Sequence, residues 1–241
     1  MKKIVLFFLV GLGVAGCKKE FLLSKINDVK TTKVVVDNVP YSGNNPLLKN
    51  ANDAVLVGAA INASKFSNSA YTNLAGNQYN SLTAENEMKF ASVEPARGSF
   101  TYNDAVILFA KSHGIPRVHG HNLIWFSSNP TWLSNATTAG LTADQTYRSI
   151  MQTHITNVIT YYYQHYKNPD GSPCVKSWDV VNEAVNNNGT LRGSGLADPS
   201  DADDTAKDHC VWMDKISGEG YTYIKSLLSG KVCYCYKKTA L

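Results

Sequence analysis

A carboxamide beside a carboxylate, Asn182-Glu183, ends the apolar run Ser177-Trp178-Asp179-Val180-Val181. Such runs favour a pleated, buried surface. A polar pair at the C-terminal end of a strand is what a parallel α/β barrel presents to its substrate. Three earlier runs end in a similar way. Val55-Leu56-Val57-Gly58-Ala59-Ala60-Ile61 leads to Asn62, and Asn80-Ser81-Leu82 runs through Thr83 and Ala84 into Glu85, Asn86, Glu87 and Lys89. Residues 117–125 carry His119, His121 and Asn122 and close on Trp125. Amides and carboxylates exchange hydrogen bonds with hydroxyl-rich neutral ligands, and an indole covers a ring face. An Asn-Glu pair can equally cap the next helix, so the pair alone leaves both readings open.

These side chains need elements to hold them. The pattern predicts buried strands at residues 55–62, 79–82, 117–125 and 177–181, with a possible fifth at 231–236. Helices are expected at residues 67–76, 103–113, 142–166 and 220–228. Strands alternating with helices argue for βαβ units and a parallel sheet. From Val55 to Leu241 there are 187 residues, whereas a full eightfold barrel takes about 250. Four units and the start of a fifth are expected, too few to close. The polar, Gly/Asp-rich connection 186–207 reads as a functional loop.

The start of the chain reads as a targeting segment. Met1-Lys2-Lys3 is basic, residues 4–14 are apolar, and Ala15-Gly16-Cys17 follows. The apolar run is too short to span a bilayer. The order resembles a bacterial lipoprotein signal, which implies cleavage before Cys17, lipidation of Cys17 and a membrane-anchored protein of the cell envelope. Residues 1–16 are then the signal peptide, 17–52 the lipidated cysteine and a tether with one short strand at 33–36, and 53–241 a partial barrel. With Lys2 and Lys3 removed, 21 basic residues face 19 acidic ones. That balance points away from nucleic acid as a partner.

Of the remaining cysteines, Cys174 and Cys210 are candidates for a bridge in an oxidising envelope, although connectivity stays open. His119 and His121 share one strand face, but no third ligand is evident, so no metal is expected. His154 and His165 are expected at the surface or the core edge. Trp132, Trp178 and the Tyr161-Tyr162-Tyr163 run read as packing, and Glu87 as a residue that ties down a loop.

Four separated motifs resemble glycoside hydrolase family 10, the endo-1,4-β-xylanases, in order. They are Gly58-Ala59-Ala60-Ile61-Asn62; residues 80–89 continued by Glu94-Pro95-Ala96-Arg97-Gly98; His119-Gly120-His121-Asn122-Leu123-Ile124-Trp125; and residues 178–184. The resemblance covers residues 55–236 and implies an α/β fold of the (β/α)8 TIM-barrel family, with only the first four to five units present. It implies retaining hydrolysis of β-1,4-xylan or xylo-oligosaccharides without a cofactor. Glu183 matches the general acid/base and Asn182 the neighbour that contacts the sugar 2-hydroxyl. Glu85, Asn86 and Lys89 match glycone-side sugar ligands, and His121 and Trp125 the pair lining the subsite nearest cleavage. Two positions depart from the family pattern. Its Trp-His-Ser-Gln is Trp125-Phe126-Ser127-Ser128 here, and the Arg often found before Gly-His is His119.

A retaining glycosidase needs an acid and a second carboxylate about 5–5.5 Å away that attacks the anomeric carbon. The resemblance places that nucleophile on the seventh strand, beyond Leu241. Glu219, the one Glu after Glu183, sits in a lead-in to a helix and reads as a cap. The expectation is therefore a truncated chain without its nucleophile, inactive alone, the product of a premature stop or a frameshift after about Ser226. The alternatives are a non-catalytic xylan-binding half-barrel and a fragment without function.

Overall fold

Parallel strands and intervening helices carry the chain through residues 47–48, 56–184, 192 and 210–227, the part that the computed structural model describes. The lipidation site expected at Cys17, the strand expected at 33–36, the possible strand at 231–236 and the loop 186–207, apart from Arg192, lie outside the described residues. In order the elements are β1 (Gly58–Ile61), α1 (Ser69–Gln78), β2 (Ser81–Ala84), α2 (Phe90–Val93), α3 (Ala105–Ser112), β3 (Val118–Gly120), β4 (Ile124–Trp125), α4 (Ala143–His165), β5 (Val175–Trp178), β6 (Val181–Asn182), α5 (Val211–Lys215) and α6 (Ile224–Leu227). One parallel sheet runs β1-β2-β3-β5 and a second, shorter ladder pairs β4 with β6. Parallel neighbours need crossovers, and the helices supply them. This is the α/β arrangement expected for the first units of a barrel.

The third and fourth expected strands are each broken in two. Gly120 pairs with Trp178 at the end of one ladder, and Ile124 pairs with Val181 at the start of the next. Between them Asp179 N–H donates to the Gly120 carbonyl at 3.0 Å and Leu123 N–H to the Asp179 carbonyl at 3.0 Å, so the chains stay side by side. A cis peptide bond joins His121 to Asn122 within this interval. Leu123 and Ile124 keep the sequence apolar through the break, which is why periodicity reads it as one strand. Gly120 is required here: a Cβ would lie 2.1 Å from Trp178.

The expected buried strand at 55–62 is buried only at its end. Ile61 is in the core, while Gly58 and Ala60 are exposed. Among the described residues β1 pairs with β2 alone. Its small residues line an open cavity of about 440 Å³ shared with Thr83, Glu85, His119, His121 and Asp179. The expected terminal helix is a 3-10 turn, Gly220–Tyr223, followed by α6.

The long helix α4 starts with a capping box. Gln145 N–H donates to Thr142 Oγ1 at 3.2 Å, and Thr142 N–H to Gln145 Oε1 at 3.0 Å. Tyr147, Ile150, Met151, His154, Ile155, Val158 and Tyr162 recur at helical spacing and face the core. That spacing corrects the placement of His154, which lies on the inner face and is fully buried. Its ring stacks on Phe90 with centroids 3.6 Å apart, and Nδ1–H donates to Glu94 Oε2 at 3.0 Å. His165 is exposed, one turn beyond Tyr161. Within the Tyr run, Tyr162 is buried but Tyr163 is exposed, so the run packs only in part.

Cys174 and Cys210 are both free, buried thiols, so no bridge joins them. Cys174 donates to Asn168 Oδ1 at 3.3 Å, in the turn ahead of β5, while Cys210 precedes α5.

Candidate active site

Trp125 ends β4 and Asn182 ends β6, and the two are partners in register. Glu183 follows directly, with a left-handed backbone at φ 49°. A non-glycine residue there costs about 1–3 kcal/mol and persists only where its surroundings hold it. The surroundings are visible. Trp125 Nε1–H donates to Glu183 Oε2 at 2.9 Å. The Ala184 carbonyl accepts Arg192 N–H at 2.8 Å and Tyr221 O–H at 2.7 Å. Asn182 is buried under the same strand end.

Lys89 reaches this group from the segment between β2 and α2. Its Nζ lies 5.3 Å from the Trp125 ring centroid and donates to Asn86 Oδ1 at 2.9 Å. Glu85 accepts from Asn62 Nδ2 at 3.1 Å and faces the cavity beside His121. His121 connects the two regions, since its ring is 6.1 Å from that of Trp125. Glu87 takes no part. It is buried and accepts Ala63 N–H at 2.7 Å and Asn86 N–H at 3.1 Å, tying the ends of β1 and β2 together.

His119 and His121 do share a face, and what they grip is Asp179. His121 Nδ1–H donates to Oδ2 at 2.9 Å, and His119 Nε2 lies 3.1 Å from Oδ1. Burial alone would raise the Asp179 carboxyl. The hydrogen bonds and charge of the two histidines outweigh it and hold the group well below the usual carboxylate range. Asp179 therefore fixes the His121 ring with its other nitrogen free of this bond. Among the described residues no cluster of three candidate ligands is arranged to hold a metal ion.

Glu219 stands at the N-cap position of the 3-10 turn, where its carbonyl accepts Thr222 N–H at 2.9 Å. Its side chain makes no cap hydrogen bond, and instead accepts Arg148 Nη1–H at 2.6 Å. Arg148 also donates to Asp144 at 2.8 Å, so Glu219 ties the segment after α5 to the first turn of α4.

Several supporting residues escape sequence reasoning. The Trp125 carbonyl accepts from Trp212 Nε1–H and Asn129 Nδ2–H, each at 3.2 Å. Trp212 and Tyr221 come from far along the chain and carry no local signal. Asp179 had one, a carboxylate inside an apolar run at the level of a histidine pair.

A family model described as "Glycosyl hydrolase family 10" matches residues 47–221. The chain belongs to that family. Among curated relatives of this family 10 chain, endo-1,4-beta-xylanase A of Phanerodontia chrysosporium is 34% identical over 151 residues, which cover 60% of this chain and 33% of the relative. Endo-1,4-beta-xylanase A of Thermoanaerobacterium saccharolyticum is 29% identical over 184 residues, covering 71% and 14%. Among solved structures, the intracellular xylanase TsXylA from Thermoanaerobacterium saccharolyticum superposes with a TM-score of 0.59 at 26% identity, over 76% of this chain and 51% of that one. A glycosylated endo-beta-1,4-xylanase from Gloeophyllum trabeum gives 0.57 at 28% identity, over 76% and 49%. The family 10 chain thus spans about half of those structures, and a third or less of those two curated relatives.

Proposed function

We propose that this chain carries the proton donor and the glycone-binding face of a retaining endo-1,4-β-xylanase. The observation that carries the reading is the Trp125 Nε1–Glu183 Oε2 hydrogen bond of 2.9 Å, made where two paired strands end. An indole that covers a sugar ring is thereby fixed to the carboxyl group that would protonate the glycosidic oxygen. Lys89, Asn86, Glu85 and His121 offer donors and acceptors for the hydroxyls of xylose units on the glycone side, and Asn182 sits next to Glu183 for the 2-hydroxyl.

The retaining reaction also needs an attacking carboxylate about 5–5.5 Å from the acid. Glu219, the Glu that follows Glu183 in the sequence, is engaged by Arg148. In this reading the attacking carboxylate comes from outside residues 1–241, and the chain by itself binds xylan without cleaving it. Electrophoresis through gels containing soluble xylan tests this. Retardation by xylan but not by mannan is expected, with no new reducing ends released. Reducing ends that vanish in Glu183→Gln would show that the chain cleaves alone, and mobility unaffected by xylan would overturn the reading of the substrate.

The leader Met1–Cys17 supports a second proposal, a lipid anchor on Cys17 that holds the protein in the cell envelope. Mass spectrometry of the mature N-terminus should find a lipidated Cys17, and Cys17→Ala should move the protein to the soluble fraction. An unmodified Cys17 in membrane fractions would count against the anchor.

A further inference from the structure

Glu183 combines a left-handed backbone with a carboxylate that must keep one position, and the structure shows what grips its backbone while Trp125 holds the carboxylate. Arg192 is buried, with 9% of its surface exposed. Its Nε–H donates to the Glu183 carbonyl at 3.3 Å, while its backbone N–H donates to the next carbonyl, that of Ala184, at 2.8 Å. The guanidinium sits over Phe126, its carbon 3.8 Å from the ring centroid. Phe126 in turn meets Trp125 edge-to-face, with centroids 5.7 Å apart. The four residues form a closed circuit: Glu183 to Trp125 through the indole, Trp125 to Phe126 through the chain, Phe126 to Arg192 by cation–π contact, and Arg192 back to Glu183 through its carbonyl.

We infer that Arg192, seated on Phe126, is a positioning residue for Glu183. A planar guanidinium can stack on a ring and donate sideways at the same time, which an ammonium cannot do. Without the ring, the guanidinium loses the surface that orients it. The Glu183 carbonyl then loses its donor, and the left-handed turn loses part of what holds it. Neither residue touches the substrate in this role. Phe126 stands where the family resemblance would put a histidine, so the seat is a feature of this chain rather than of the motif. The inference rests on the reading of Glu183 as proton donor, but its test does not need turnover.

The test is nuclear magnetic resonance on the full chain with 15N-labelled tryptophan, comparing wild type, Phe126→Leu, Phe126→Tyr, Arg192→Ala and Arg192→Lys. The Trp125 indole N–H reports the Glu183 side chain directly. Phe126→Leu and Arg192→Ala should each speed its exchange with solvent about tenfold, while Phe126→Tyr restores the wild-type rate and Arg192→Lys restores it only in part. The Trp132 indole, which donates to the Glu94 carbonyl at 3.0 Å, outside the circuit, should keep its rate. Unchanged Trp125 exchange in Phe126→Leu would overturn the inference. Equal acceleration at Trp125 and Trp132 would also overturn it, because the pair would then serve general stability. If Arg192→Ala does not fold, the two Phe126 variants decide the matter. Failure of the donor reading shows separately. Should a family 10 nucleophile half, added in trans, restore xylan cleavage, that cleavage would persist in Glu183→Gln.

Discussion

Trp125 donates its indole N–H to the Glu183 carboxylate at 2.9 Å, across the ends of β4 and β6. The two residues are 58 positions apart, and the bond joins the indole at one strand end to the carboxyl group just past the other. Glu183→Gln should keep the fold, because the amide oxygen still accepts the indole hydrogen. Exchange of the Trp125 indole hydrogen with solvent should stay slow in Glu183→Gln and speed up in Glu183→Ala, which removes the acceptor. Equal exchange in Glu183→Ala and the wild type would show that the bond is not present in solution.

Lys89 should dominate glycone affinity. Its ammonium is held by Asn86 and hangs over the Trp125 ring at 5.3 Å, so it meets a bound sugar without a large loss of freedom. Hydrogen bonds to charged groups contribute about 1.5–3 kcal/mol. Lys89→Met should therefore weaken xylotriose binding by roughly tenfold or more in calorimetry. The melting temperature should change little, since the side chain is only half-buried.

The buried His154–Glu94 pair should make stability depend on pH. Burial pushes the His154 imidazole below its ordinary value of 6.5, and the hydrogen bond and charge of Glu94 oppose this less strongly. Below about pH 6.5 the unfolded chain then binds a proton that the folded chain refuses. Stability from this group is complete above that pH and falls as the pH drops, by up to about 1.4 kcal/mol per unit. Urea melts at pH 7.5 and 5.5 should show the loss, and His154→Gln should flatten it. An equally steep loss in the variant would assign the pH dependence to other groups.

Cys174 and Cys210 should stay unmodified when the native chain is treated with iodoacetamide at pH 8. Both thiols are buried, and burial pushes Cys210 up to about 11, far from the thiolate that reacts. Peptide mapping should find both alkylated only after denaturation, and without prior reduction. A need for reductant would establish the bridge that the structure lacks.

Much of the site was legible because its residues sit in short contiguous motifs. Glu85, Asn86 and Lys89 lie within one stretch, His121 and Trp125 within another, and Asn182 and Glu183 are neighbours. The structure places each of them at the end of, or just past, a parallel strand. What stayed hidden follows from distance or from phase. Trp212 and Tyr221 reach the site from a later segment. His154 was placed at the edge because a lone histidine in a long helix carries no sign of which face it occupies, and only the apolar residues around it settle that. Glu219 precedes a helical turn and so looked like a cap, until Arg148 from α4 came within 2.6 Å.

The sequence by itself determined the alternation of strands and helices, the family, and the candidate side chains at the strand ends. Those features depend on local periodicity and contiguous motifs, which survive without coordinates. The tertiary structure alone decided how the parts act on one another. It broke two apolar runs at His121 and Asp179, clamped that aspartate between two histidines, and turned Glu183 into the left-handed region with Trp125 on its carboxylate and Arg192 on its carbonyl. Each depends on strand register and on groups brought together from distant parts of the chain. Register is set by packing across the whole sheet, which no single stretch of residues contains.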